Sequence, residues 1–249
     1  LLRMERTNHS TVETKTLNLK MKIFLALIFN IIFINQFFSQ SGKEVKNYND
    51  FIGKDWKIIS KTEGDLNNDG EKDIALVIEN TDKNNFIKNE NLGSDTLNLN
   101  PRRIIVALKS KDSYLLKVDN VHFIPSSGDV EATCLADPFE DGLIIEKGVL
   151  KIDLNYWYSC GSWYTNHNTY IFRYQNNQFE MIGYESSEFH RASGEATSIS
   201  INYSTKKKIE TTGLNEFNES KPKSKVSKIK INKLYNLNEI VMDYNFPNE

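Results

Sequence analysis

Between residues 149 and 156 the chain alternates strictly: Leu150, Ile152, Leu154 and Tyr156 are separated by Lys151, Asp153 and Asn155. A period of two places successive side chains on opposite faces of a strand, so this segment is a strand with one buried face and one wet face. Short runs of the same kind recur along the chain between turn signals. Trp56–Ser60 is a brief apolar run, and Ile74–Ile78 (IALVI) is continuous, as expected of a strand buried on both faces. Ile104–Lys109 and Tyr114–Val118 flank a Lys-Asp-Ser turn, and Leu143–Ile145 and Val149–Tyr156 flank Lys147-Gly148. Tyr170–Tyr174 and Phe179–Tyr184 flank Asn176-Asn177, a pair that tolerates the left-handed turn conformation. Ile199, Ile201 and Tyr203 follow, and Val226, Ile229, Ile231 and Leu234 form a last lysine-flanked run.

No long helical period interrupts this pattern. It predicts an all-β fold of about ten to twelve antiparallel strands, either a sandwich or a propeller-like blade array, as one domain over residues 42–249. Asn80–Pro101 reads as a long polar loop, and 212–225 as a second polar excursion between two strands.

Residues 21–41 have a different character. Met21-Lys22 is followed by Ile23–Phe33, apolar except for Asn30; Ile34, Phe37 and Phe38 continue the run, diluted by Asn35 and Gln36, before the small residues Ser39 and Ser41. A positive start, a short apolar stretch and small residues around a cleavage point describe a secretory signal peptide. The apolar stretch is short and interrupted for a transmembrane helix, so no membrane span is expected after cleavage, although an uncut signal anchor is the alternative. Residues 1–20 are polar with scattered charge; Met21 is expected to be the true start, and residues 1–20 an upstream translation artefact. Cleavage after Ser41 fits best, followed by cleavage after Ser39.

Export frames the two cysteines. Cys134 and Cys160 are the only pair, and in an oxidising compartment they are expected to form a disulfide that adds roughly 3 kcal/mol. The rival is a catalytic thiol with His122 or His167, against which export argues. A formal charge of -2 gives no basis for nucleic-acid binding. The charge is uneven: residues 201–235 carry nine lysines against three glutamates, and residues 41–200 carry 17 basic against 25 acidic residues. The basic third reads first as lysines guarding a sheet edge from aggregation, and second as a contact for an anionic wall polymer.

One motif carries chemistry. Asp65-Leu66-Asn67-Asn68-Asp69-Gly70-Glu71-Lys72-Asp73 follows D-x-N-x-D-G-x-x-D. Oxygen-bearing side chains at alternate positions converge when the chain wraps around a cation, and Gly70 permits the turn. The expected ligands are Asp65, Asn67, Asp69, the backbone carbonyl of Glu71, and Asp73, a hard-oxygen set suited to Ca²⁺. The twelfth position is Leu76, not glutamate, and the following residues are strand-like, so the loop belongs to a β-hairpin. The alternative is an Asx-rich turn holding no ion.

Gly64–Ile74 resembles the GDxNxDGxxD[IL] calcium loop of FG-GAP and VCBS-type repeats, which joins two strands of a propeller blade in extracellular proteins. More broadly, Asp137–Glu140, Gly148–Leu150, Tyr170–Gln175, Met181–Gly183 and Ser200–Tyr203 resemble exported bacterial proteins carrying VCBS repeats. The resemblance implies export, a β-rich fold and the calcium loop, and it implies no activity. This chain has a single such loop, where a full propeller carries several blades.

Weaker constellations complete the reading. Tyr156, Trp157, Tyr158, Trp163, Tyr164, Tyr170, Phe172 and Tyr174 form a dense aromatic region, more simply sheet core than a glycan platform. Asp137, Glu140 and Asp141 are candidates for a carboxylate pair or a second cation site, and a polar turn explains them equally. His122, His167 and His190 lie far apart, and no phosphate-binding glycine loop is present. The expected function is a non-enzymatic, exported, calcium-binding β-protein acting in adhesion or at the cell envelope, with a cell-surface glycan or protein as partner. The alternative is a hydrolase of envelope glycans or peptides using Glu140 and Asp141.

Overall fold

The computed structural model describes residues 42–140, 142–219, 221–243 and 246–247. The signal-peptide and upstream-artefact readings, and Asp141, therefore fall outside the described residues. The segment from Lys43 onward forms one compact unit.

Fourteen strands and two short 3₁₀ turns make up the described chain. A five-stranded antiparallel sheet has the order β1 (Glu44–Val45), β7 (Ser113–Asn120), β6 (Arg102–Ser110), β3 (Asp73–Asn80), β2 (Trp56–Gly64). A seven-stranded meander runs from β8 (Leu143–Glu146) through β9 (Val149–Trp157), β10 (Tyr164–Gln175), β11 (Gln178–His190), β12 (Glu195–Asn202) and β13 (Lys207–Asn215) to β14 (Lys223–Lys228). A small hairpin pairs β4 (Phe86–Lys88) with β5 (Thr96–Asn98).

The two large sheets pack face to face as a sandwich-like all-β fold. Ala75, Val77, Ile104 and Val106 of the first share one core with Leu150, Ile152, Leu154 and Phe172 of the second. Phe123 wedges between them, its ring meeting Tyr170 and Phe172 edge to face at 5.3 and 5.6 Å. Such pairs add about 0.5–1.5 kcal/mol beyond the area they bury. The outer face of the five-stranded sheet is also covered. Ile74, Leu76, Ile78 and Ile105 pack under Phe51, with Tyr48 and Trp56 at the margin. This second core is why Ile74–Ile78 is apolar at every position, while β9 needs only every other residue apolar.

The hairpin turns follow the residues that mark them. Lys147-Gly148 and Asn176-Asn177 both adopt positive φ at both positions, the conformation that matches the twist of the flanking strands. The disulfide forms between Cys134 and Cys160, whose Cα atoms are 5.4 Å apart. The lysines of β14 line a free edge of the seven-stranded sheet, where charge discourages pairing with another chain.

Three segments differ from the sequence reading. Asn80–Pro101 holds the β4–β5 hairpin and a 3₁₀ turn at Lys83–Asn85, pinned by asparagine side chains. The Asn89 amide donates to the carbonyls of Asn91, Leu92 and Ser94, and Asn100 is fully buried. Three-residue strands held by side-chain bonds leave no periodic signal. The second polar excursion shrinks to the turn between Asn215 and Lys223, because β13 and β14 run through most of it. Lys207–Asn215 has no buried residue, so it carries no apolar face to read. The last strand ends at Lys228, and Ile229, Ile231 and Leu234 pack on the core from an irregular segment beyond it.

Candidate metal centre

The acidic turn connects β2 to β3, with Gly64 paired to Asp73 across its base. Gly64 is required there: a Cβ would lie 2.5 Å from the Ile145 side chain of the adjacent sheet. Asn68 and Gly70 take positive φ, at 62° and 87°, which wraps the chain back on itself.

The Asp65 carboxylate sits inside that wrap. Its Oδ1 accepts from the N–H groups of Asn68 at 2.6 Å and Asp69 at 3.2 Å, and its Oδ2 from Gly70 at 2.9 Å. These donors, Gly70 foremost, hold its carboxyl below the usual range. Asn67 Oδ1 accepts from the Asp69 N–H, and the Asn67 amide donates to Asp69 Oδ2 at 2.8 Å. Asp69 Oδ1 accepts from the Glu71 N–H at 2.8 Å. Asp65, Asn67, Asp69 and the Glu71 backbone are thus drawn together by the turn itself.

Asp73 is placed differently. It is fully buried, with Oδ2 accepting from the Leu66 N–H at 2.7 Å and Oδ1 from the Lys109 N–H at 2.8 Å. It ties the turn to the end of β6, while the buried Leu66 side chain plugs the turn into the main core. Burial pushes the Asp73 carboxyl up. The two backbone donors oppose that shift, and the negative charges of Asp69 and Asp65 add to it. Among the described residues none of these three carboxylates has an ion-pair partner, and no three acidic, imidazole or thiol side chains close into a cluster. The two anchors, Leu66 and the Lys109 N–H, went unnoticed in the sequence. An apolar residue inside an otherwise polar turn is the signal for the first, and a backbone donor from another strand leaves none.

The aromatic region divides between core and surface. Phe172 and Tyr170 are buried in the core. Trp157, Trp163 and Tyr164 are exposed, and the Arg191 guanidinium lies over both tryptophan rings, at 5.0 and 5.9 Å from their centroids. Arg191 also donates to the backbone carbonyls of Tyr158 and Ser162, so this stack braces the chain around the disulfide.

Asp137 is committed to Arg102, with two bonds of 2.6 Å to its guanidinium. Arg102, itself buried, bonds Glu79 through Nε at 2.9 Å and the Pro125 carbonyl at 3.3 Å. Lys57 reaches the same Glu79 at 2.9 Å. Burial raises the Glu79 carboxyl, but the bonds and charges of Lys57 and Arg102 outweigh it and hold it below the ordinary range. Glu140 is exposed. His190 caps its own turn through Ser193, and His167 contacts Asn155 on the wet face.

No family model, curated protein or solved structure matches this chain, so the fold and the turn are judged on their own geometry.

Proposed function

We propose that this chain is an exported β-protein that binds Ca²⁺ through the Asp65–Asp73 turn and serves as an adhesion or cell-envelope interaction module. The observation that carries the reading is electrostatic. Asp65, Asp69 and a fully buried Asp73 lie close enough for their charges to act on one another, with no protein cation paired to any of them among the described residues. A hard divalent cation supplies the missing charge.

The side chains of Asp65, Asn67 and Asp69 and the Glu71 carbonyl offer the oxygens that Ca²⁺ takes. Asp73 adds its charge. Its two oxygens each accept a single backbone bond, and a carboxylate oxygen has a second acceptor site. The ion is structural in this reading. Extracellular modules bind in the 10⁻⁴–10⁻³ M range, and occupancy stabilises the fold by about 1–3 kcal/mol through mass action. The compartment rests on the signal-like segment 21–41 and agrees with the Cys134–Cys160 disulfide.

Calorimetric titration with CaCl₂ of the wild type beside Asp65→Ala and Asp69→Ala tests it. The expected outcome is a saturable heat in the wild type that both variants lose. Equal heats in all three remove the metal from the account.

A further inference from the structure

At the far end of β9 from the acidic turn, a cleft of about 610 Å³ opens on the inner face of the seven-stranded sheet. Gly148, at the near end, faces Asp65 and Asn68. Tyr156, at the other end, lines the cleft, roughly 26 Å away at the ~3.3 Å rise of each strand residue.

The cleft is built from a sheet face that changes character. On β10 the period of two puts Asn166, Asn168 and Tyr170 on the same face as the fully buried Phe172. Asn168 pairs across to Ser186 on β11, and Tyr170 to Tyr184. A β-bulge between the Ile171–Gly183 and Phe172–Met181 pairs makes this alignment. Met181 and Tyr184 would otherwise point to opposite faces, and the extra residue re-aims Tyr184 and Ser186 inward. The loop from Pro125 to Val130, held by Arg102, forms one wall, and Met242 and Asp243 contribute to the other.

A face that only needed covering would be apolar throughout. Here two asparagines and a serine sit half-buried on it beneath a loop, among the rings of Tyr156, Tyr170 and Tyr184. The Tyr184 hydroxyl donates to Asn168 Oδ1 at 3.0 Å, which fixes that amide and leaves its NH₂ as a donor. The charged residues on the lining are Asp129 and Asp243, with no Lys, Arg or His among the described lining residues.

We infer that this cleft binds a neutral saccharide unit. Its described lining offers no cation to attract phosphates, carboxylates or acidic polymers. Amides and a hydroxyl match ring hydroxyl groups that both donate and accept, and tyrosine rings offer apolar faces to the C–H face of a sugar. The volume falls in the range of small-molecule sites. The inference deepens the envelope-module reading by naming a ligand class and a site, and it uses none of the calcium-turn residues.

The test is calorimetric titration of the full secreted chain with the methyl glycosides of glucose, galactose, mannose and N-acetylglucosamine, beside sodium phosphate. Wild type is compared with Asn168→Ala, Asn166→Ala, Ser186→Phe and Asp65→Ala, each checked by circular dichroism. At least one glycoside is expected to bind with a Kd of about 10 mM or tighter. Asn168→Ala and Asn166→Ala each weaken it about tenfold, as expected for one lost hydrogen bond. Ser186→Phe abolishes binding by filling the cleft, and Asp65→Ala leaves it unchanged. If Ser186→Phe does not fold, the two asparagine variants decide. Absence of glycoside binding, binding indifferent to both asparagines, or binding of phosphate in its place overturns the inference. Sugar binding that survives Asp65→Ala while the calcium heat is lost separates the two sites.

Discussion

β3 carries a buried acid near each end, and the two are treated in opposite ways. Glu79 meets Arg102 and Lys57, and Arg102 extends the contact to Asp137 and the Pro125 carbonyl. Asp73 meets two backbone N–H groups and the like charges of Asp65 and Asp69. The result is a carboxyl held below its usual range at one end and raised above it at the other. Both are equally removed from water, so burial does not distinguish them. What differs is the supply of positive charge. The Glu79 end is complete within the protein and holds the loop that walls the cleft. The Asp73 end has donors without a counter-charge among the described residues, the gap that the proposed cation would fill.

The largest test of this contrast breaks the complete end. Arg102→Ala leaves the buried Glu79 and the half-buried Asp137 without their shared cation, and urea denaturation is expected to show a loss of about 3–5 kcal/mol. Calcium does not restore it. Asp73→Ala comes next: the Leu66 and Lys109 N–H groups lose their acceptor, for an expected loss of about 2–4 kcal/mol in the same assay. The turn is then detached from β6, and calcium stabilises this variant less than wild type.

The pH dependence separates the ends by sign. Glu79 is held below its ordinary 4.5, so its contribution is present above that value and is lost as pH falls through the lowered one. Asp73 is raised above 3.8. The folded state keeps its proton longer than the unfolded state does, so stability declines as pH rises from 3.8 through the raised value. In calcium-free buffer, urea midpoints followed across the acid range are expected to lose the acid-side fall in Glu79→Gln and the opposite slope in Asp73→Asn. The smallest effect sharpens the comparison. Lys57 is exposed beside Glu79, and Lys57→Ala is expected to cost under about 1 kcal/mol in urea denaturation, because Arg102 remains in place.

The sequence and the structure agree where one face of a strand is buried against a second layer. Leu150, Ile152 and Leu154 announced β9, and the turns at Lys147-Gly148 and Asn176-Asn177 announced their hairpins. β13 was hidden because none of its residues is buried, so its side chains need no apolar pattern. The β-bulge in β11 was hidden because one added residue leaves no compositional trace, yet it decides which side chains line the cleft. At the acidic turn, the wrap around Asp65 and its place in a hairpin could be read from residue spacing. The burial of Asp73 could not, since it depends on the Lys109 N–H of a strand 36 residues away. Arg102 joins Glu79 and Asp137, at separations of 23 and 35 residues, for which no local pattern exists.

A crystal structure of the chain grown in millimolar CaCl₂ addresses the central claim most directly. The account predicts a single strong peak in the turn about 2.3–2.6 Å from oxygens of Asp65, Asn67, Asp69 and the Glu71 carbonyl, absent from crystals of Asp69→Ala grown alongside. A turn in which the same oxygens face ordered water alone, with both crystals alike, contradicts it.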